Sequence, residues 1–248
     1  MGRVYLREED HVYIDPLDLD FKFTSVTRVL SHYEQPFDAD YHSKRIANRD
    51  GITQEEVLAK WKLINKIAID YGKKVHSIME RHLLNRQNMY IPRDDFELLV
   101  LEEFAKLKLL LNHRIVKPEY VLTHPLRLKY GLAGCGDVIE DVDEVKFNLW
   151  DFKTNKELTF ETRYDDWLKF PLNHLSQTKY NVDCLQLSTY AYFYELETGK
   201  KVNTLGIIYW DRGNELEATV GVWKVLYVPY LKTDIKAMID HFAMTTIK

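Results

Sequence analysis

Residues 134–156, GCGDVIEDVDEVKFNLWDFKTNK, constrain the architecture of this chain more than any other stretch. Apolar and polar residues alternate on both sides of an acidic turn, Asp141-Val142-Asp143-Glu144. That pattern predicts an antiparallel hairpin with strands at 134–142 and 146–153. Residues i and i+2 of a strand share a face, so Asp151 and Lys153 project together. Folding at 141–146 brings Asp137 beside Asp151. Two carboxylates and one ammonium then meet at the strand ends. A hard divalent cation needs such carboxylates, with waters and a substrate phosphate completing its shell. A metal held there activates water, and the lysine offsets developing charge on a phosphodiester. The same residues also read as a surface hairpin with an ordinary ion pair.

The flanking sequence supplies the other layers. Short strands are expected at 3–6, 11–14 and 21–23, and Thr24 and Ser25 stand where a helix cap belongs. The polar stretch 31–51 is expected to hold a short helix and loops. Thr53 and Glu56 form a capping box that opens helical periodicity running to about Leu84, with Gly72 as a break or a close-packing point. Asp94 caps a helix reaching about His113, and a strand follows at 118–124. The polar, aromatic stretch 154–181 has no clear period and reads as a long functional loop. A helix at 182–198, strands at 203–210 and 219–226 and a helix from about Tyr230 complete the chain. The reading is an α/β protein with a mixed sheet. One domain spans 1–248, with N-terminal strands and helices at 1–93 and the core at 94–248.

Composition narrows the function. The 34 Lys and Arg against 38 Asp and Glu leave a net charge of −4, which argues against a purely electrostatic nucleic-acid binder. It leaves room for an enzyme that sets acidic metal ligands beside a local basic groove. Two cysteines, Cys135 and Cys184, exclude a disulfide scaffold and a four-cysteine metal site. No apolar run reaches the length of a membrane span and the N-terminus has no signal-peptide pattern, so a cytoplasmic protein is expected.

A second constellation lies in QLSTYAYFYE, residues 186–195, where Gln186 and Tyr190 are four apart on one helical face. A tyrosine stripe is ordinarily core packing, but a glutamine at a core-facing position calls for a partner.

With these pieces in place, the chain resembles the PD-(D/E)XK nuclease superfamily, in particular its RecB-like exonuclease branch, which includes mitochondrial genome maintenance and phage exonucleases. The resemblance rests on TSVTRVLS (24–31), GKKVHSIMERHL (72–83), PEY (118–120), GCGDVIED (134–141), LWDFKTNK (149–156) and QLSTYAYFYE (186–195), in family order. It implies a restriction-endonuclease-like αβββαβ core with an N-terminal helical elaboration. It also implies Asp137 and Asp151 as metal ligands, with the Phe152 carbonyl as a third, and Lys153 as the catalytic lysine. His76 resembles the additional metal-binding histidine of the branch, and Glu119 the acidic residue before the hairpin. Gln186 and Tyr190 become the pair that holds substrate or the catalytic lysine. Ser25, Thr27 and Lys156 become phosphate contacts, Ser25 and Thr27 acting from a helix N-terminus.

The expected activity is Mg²⁺- or Mn²⁺-dependent hydrolysis of DNA, with one or two ions, acting on single-stranded ends. A duplex or structure-specific nuclease is the alternative within the superfamily, and a non-catalytic nucleic-acid-binding protein the alternative outside it. A helicase or recombination protein is the expected partner, and a phage-encoded protein would act in the host cytoplasm. Several of these residues have a plainer reading. His76 with Glu80 forms a simple helical pair, Glu119 is a charge at the start of a strand, and Ser25 is a cap. Cys135 is a small buried residue. Tyr164, Trp167 and Phe170 either stack on bases or pin their loop.

Overall fold

The fold was obtained as a computed structural model, which describes residues 4–7, 9–84, 90–107, 115–155, 158–162, 166–213 and 219–246. The first elements are a small hairpin, β1 (Tyr5–Arg7) and β2 (Val12–Ile14), then β3 (Lys22–Ser25) and the helices α1 (Val26–Tyr33), α2 (Ala39–Asp50), α3 (Gln54–Leu84) and α4 (Asp95–Lys106). Next come β4 (Ile115–Arg127), β5 (Tyr130–Asp141), β6 (Lys146–Lys153) and α5 (Lys179–Thr198). The described chain closes with β7 (Lys201–Asp211), β8 (Val222–Tyr227) and α6 (Lys232–Thr245). From α4 onward the order is helix, three strands, helix, strand, and the predicted mixed-sheet α/β class is what is observed.

Strand β5 is the centre of a mixed sheet ordered β3-β5-β6-β7-β8, with β4 also paired to β5. β4 runs antiparallel along nearly the whole of one edge of β5. The other edge is shared. β3 pairs in parallel with its beginning, from Lys22 opposite Tyr130 to Ser25 opposite Ala133. β6 pairs antiparallel with its end, from Val138 opposite Trp150 to Asp141 opposite Phe147. Residues 134–137 therefore face a gap. β3 stops at Ser25 because that side chain caps α1, its Oγ accepting from Arg28 N (3.2 Å), and the chain leaves the sheet there. Diverging neighbours open a crevice, the usual place for a ligand in an α/β sheet.

Each face of the sheet carries a core. Helices α1, α5 and α6 bury Val29, Leu187, Phe193 and Met238 against Phe147 and Leu149. Helices α3 and α4 bury Val75, Met79, Val100 and Phe104 against Trp150, Phe152, Trp210 and Trp223. Full burial of each such side chain is worth about 1.5–3 kcal/mol. β6 alternates between the two faces, so Asp151 and Lys153 continue the Phe147–Leu149 row toward α5.

Several boundaries differ from the sequence reading. The short helix expected in the polar stretch after α1 is α2, whose bounds the sequence leaves open and which Asp38 caps (Tyr41 N to Oδ1, 2.8 Å) and Gly51 ends in the left-handed conformation. Gly72 is a packing point and no break: a Cβ there would lie 3.0 Å from Thr154 Oγ1, so its absence lets α3 approach the end of β6. α4 ends at Lys106, and most of the stretch predicted to continue it lies outside the described residues. β4 extends well beyond 118–124. The expected loop at 154–181 is cut short by α5, which Thr178 caps (Asn181 N to Oγ1, 3.1 Å). The end of that loop is tied down by Lys169 N donating to Tyr33 O (2.7 Å). No helix among the described residues is long and apolar enough to cross a membrane.

Candidate active site

Asp137 sits in the gap on β5, and its Oδ2 accepts a hydrogen bond of 2.6 Å from Phe152 N at the end of β6. The carboxylate thus bridges the two strands where their ladder has stopped. His76, about three quarters of the way along α3, reaches over the sheet to place Nδ1 3.6 Å from the same oxygen. Glu119 completes the group: one ligand-capable atom from each of His76, Glu119 and Asp137 lies within 4.8 Å of the others. This mixed nitrogen and oxygen set is suited to a divalent cation.

The backbone at Glu119 is strained to achieve this. Pro118 pairs with Val138 and Tyr120 with Gly136, and between them Glu119 has φ 46°, in the left-handed region. A non-glycine residue held there costs about 1–3 kcal/mol, and such strain gathers at functional sites. Cys135 is only partly buried, contrary to the sequence reading, and its Sγ donates to Glu119 Oε2 (3.3 Å). His76 and Glu119 face a cleft of about 810 Å³ that α3 lines with Lys73, His76, Ser77 and Glu80, β4 and β5 with Glu119, Val121 and Cys135, and the N-terminal hairpin with Tyr5, Leu6 and His11. The contribution of that hairpin and of Cys135 had no signal in the sequence.

Asp151 lies outside the group of three. Its Oδ2 is 2.5 Å from Lys153 Nζ; the Asp151 side chain is buried and that of Lys153 partly so. Burial raises the Asp151 pKa, Lys153 opposes that rise, and the nearby Asp137 charge adds to it. Burial works against the Lys153 ammonium, but Asp151, Asp183 and Asp137 outweigh it and hold its pKa above the ordinary lysine range. Lys153 is therefore a fixed positive charge at neutral pH.

Helix α5 holds that charge from below. Lys153 Nζ donates to Gln186 Oε1 (3.3 Å), and Gln186 Nε2 donates to Tyr190 OH (3.0 Å). The buried Tyr190 ring lies over Gly134. The structure thus joins Gln186 and Tyr190 to the lysine. Sequence reasoning missed Asp183, which is 1% exposed: its Oδ1 is 3.7 Å from Lys153 Nζ and 2.6 Å from Lys179 Nζ, while Oδ2 has no hydrogen-bond partner among the described residues. A signal was present, since Asp183, Gln186 and Tyr190 are spaced three and four apart and share one face of α5.

Ser25 and Thr27 stand where β3 leaves the sheet, their hydroxyls 3.1 Å apart. Lys156 and Tyr164 lie outside the described residues. Trp167 and Phe170 are both about half exposed or more; Phe170 packs edge-on against His241 (5.3 Å between centroids), as an anchor would.

No protein-family model matches the chain, and no curated protein sequence matches it. Among solved structures, it is similar to a candidate exonuclease from Eubacterium rectale, with a TM-score of 0.41 and 14% identity over 71% of this chain and 64% of that one. The chain thus spans under two thirds of that protein. It is also similar to the protein SSO0001, with a TM-score of 0.31 and 11% identity over 75% of each chain.

Proposed function

We propose that the protein is a Mg²⁺- or Mn²⁺-dependent deoxyribonuclease that hydrolyses phosphodiester bonds, with single-stranded DNA ends as its substrate. The observation that carries this reading is the convergence of His76, Glu119 and Asp137 at a strand gap whose far side presents the partly buried, charged Lys153. Nothing in the packing of the sheet requires a histidine, four acids and a lysine at one strand end. The strained Glu119 backbone supports the same reading.

His76, Glu119 and Asp137 would hold the ion, with Asp151 and the Phe152 carbonyl as further oxygen donors. A divalent ion bound there polarises the phosphate and lowers the pKa of a bound water. The chain's own part is positional. The Lys153 ammonium, held by Asp151 and Gln186, donates hydrogen bonds to the attacking water or to the phosphoryl oxygen that gains charge. Gln186 and Tyr190 keep that ammonium from swinging away. Ser25, Thr27 and Lys156 would hold neighbouring phosphates. The preference for single strands rests on the N-terminal elements that border the cleft and on the family resemblance.

The test is digestion of end-labelled linear single-stranded, linear duplex and circular DNA with Mg²⁺, Mn²⁺ or EDTA, beside Lys153→Ala. Metal-dependent loss of linear single strands, absent for circles and for the variant, is expected. Cleavage of circles moves the reading to an endonuclease. DNA binding without cleavage under either metal moves it to a nucleic-acid-binding protein.

A further inference from the structure

We propose that α3 carries a track for the backbone of a single DNA strand, leading along the helix from its exposed N-terminal half to the candidate metal ligands. The proposal rests on the nuclease reading for the identity of the polyanion. α3 is one continuous helix from Gln54 to Leu84, and between Gln54 and Asp70 only Val57 is buried. This half stands clear of the sheet with α2 packed along it, so it contributes little to either core. At 3.6 residues per turn, Lys62, Lys66, Lys73 and His76 fall on one stripe of α3. The inner end of the stripe is fixed by observation, because Lys73, His76, Ser77 and Glu80 all line the cleft.

The three lysines are exposed, and none takes part in an ion pair among the described residues. Elsewhere on the N-terminal helices some cations are matched, as in Lys44 with Asp40 (2.7 Å) and Arg49 with Asp50 (2.6 Å), while Arg28, Arg45 and Lys60 take part in no ion pair among the described residues but lie off this stripe. The acids nearest the stripe are Glu55 at its outer end, Asp70 along its edge one turn after Lys66, and Glu80 beyond His76; none is ion-paired with the three lysines among the described residues. A protein of net charge −4 thus keeps a row of ammonium groups outside any ion pair running into the cleft lined by His76 and Glu119. Lys62 to His76 spans about 21 Å at 1.5 Å per residue. A strand with the usual rise of about 3.4 Å per phosphate covers that length with about six nucleotides.

The apolar residues on the stripe select the single strand. Ile69, 47% exposed, lies between Lys66 and Lys73, and Leu58, 40% exposed, lies one turn before Lys62. A strand with unpaired bases offers apolar faces to such side chains, whereas a duplex stacks those faces inside.

The experiment is equilibrium binding of fluorescent oligothymidylate of about 20 nucleotides in EDTA over a series of salt concentrations, a length well beyond the six that the track covers. Wild type is compared with the combined Lys62→Gln, Lys66→Gln and Lys73→Gln protein and with Lys60→Gln, on the opposite face of the same helix. Each phosphate contact on a single strand contributes about 0.7 to the slope of log K against log salt, so the combined variant is expected to lower the slope by about 2. Lys60→Gln is expected to leave it unchanged. An unaltered slope, or an equal change per lysine in Lys60→Gln, overturns the track. A larger loss on duplex than on single strand of the same length overturns the single-strand occupant. Because binding is read without turnover, a protein that binds as described but cleaves nothing refutes the nuclease reading alone.

Discussion

The Tyr190 ring lies so close to Gly134 that a Cβ on the glycine would come within 2.2 Å of the tyrosine's Cε1. The ring is 3% exposed and packed within the core on the α5 face of the sheet. Its hydroxyl receives the Gln186 amide, which in turn receives the Lys153 ammonium. A methyl group at 134 therefore acts on the lysine through two intermediates. Gly134→Ala is expected to cost about 1–3 kcal/mol in urea unfolding, as overpacking of a core does, and to lower nuclease kcat more than the KM for DNA. Pairing it with Tyr190→Leu removes the clash and should restore stability without restoring rate. Unchanged stability in Gly134→Ala would show that the ring has another place to go.

Asp183 is predicted to act on the rate through Lys153. Its buried carboxylate stands between Lys153 and Lys179, and removing it leaves the ammonium with Asp151 and Gln186 alone to fix its position. Asp183→Asn is expected to lower kcat about 10- to 100-fold, the range typical of residues that orient a functional group, with KM for DNA little changed. Asp183→Glu should recover part of the loss. A purely structural role would instead lower thermal stability in Asp183→Asn and leave kcat of the folded fraction at the wild-type value.

How far the sequence alone reaches is visible in these residues. The β5–β6 hairpin and the shared face of Asp151 and Lys153 follow from period-two alternation, because that pattern depends only on neighbours in the chain. The meeting of His76, Glu119 and Asp137 was suggested by family resemblance, since it depends on three separate elements and on a left-handed backbone at Glu119 that Pro-Glu-Tyr does not announce. The gap between β3 and β6 was hidden for a related reason: it arises where two strands share one edge of β5, a register that local propensity cannot specify. α2 is expected only as a short helix without bounds in the polar stretch 31–51, because it buries only Ser43 and Ala47, too few residues to leave an apolar period.

Stability in acid should depend on Asp141, at the C-terminal end of β5, four residues beyond Asp137. Burial tends to raise its pKa, but Lys117 (2.9 Å), the Tyr194 hydroxyl (2.8 Å) and Lys200 (3.2 Å) outweigh that and hold it below the usual carboxylate value. A depressed folded pKa means that the native state binds fewer protons than the unfolded chain. The contribution is then fully present above the unfolded value of about 3.9 and is lost as pH falls through the folded one. Asp141→Asn is expected to cost about 2 kcal/mol at neutral pH, the scale of hydrogen bonds to a charged group. The difference between variant and wild type should shrink below about pH 4. Urea titrations at several pH values measure it, and a difference that stays constant into acid would show that the ion pairs are not its source.

His76 is predicted to set the choice of metal. Glu119 and Asp137 alone form an oxygen set that suits Mg²⁺ and Mn²⁺ alike, whereas an imidazole favours transition ions. With His76 Nδ1 only 3.6 Å from Asp137 Oδ2, the nitrogen is placed to share an ion with that carboxylate. Wild type should therefore bind Mn²⁺ more tightly than Mg²⁺, as read by calorimetry without substrate. His76→Ala should lose about 10-fold or more in Mn²⁺ affinity while Mg²⁺ affinity changes less, so that the two ions converge. His76→Gln keeps a neutral donor that reaches toward the same place and should fall between. Equal losses for both ions in His76→Ala would mean that the histidine acts by orienting Asp137, and identical affinities in wild type and variant would remove His76 from the ligand set.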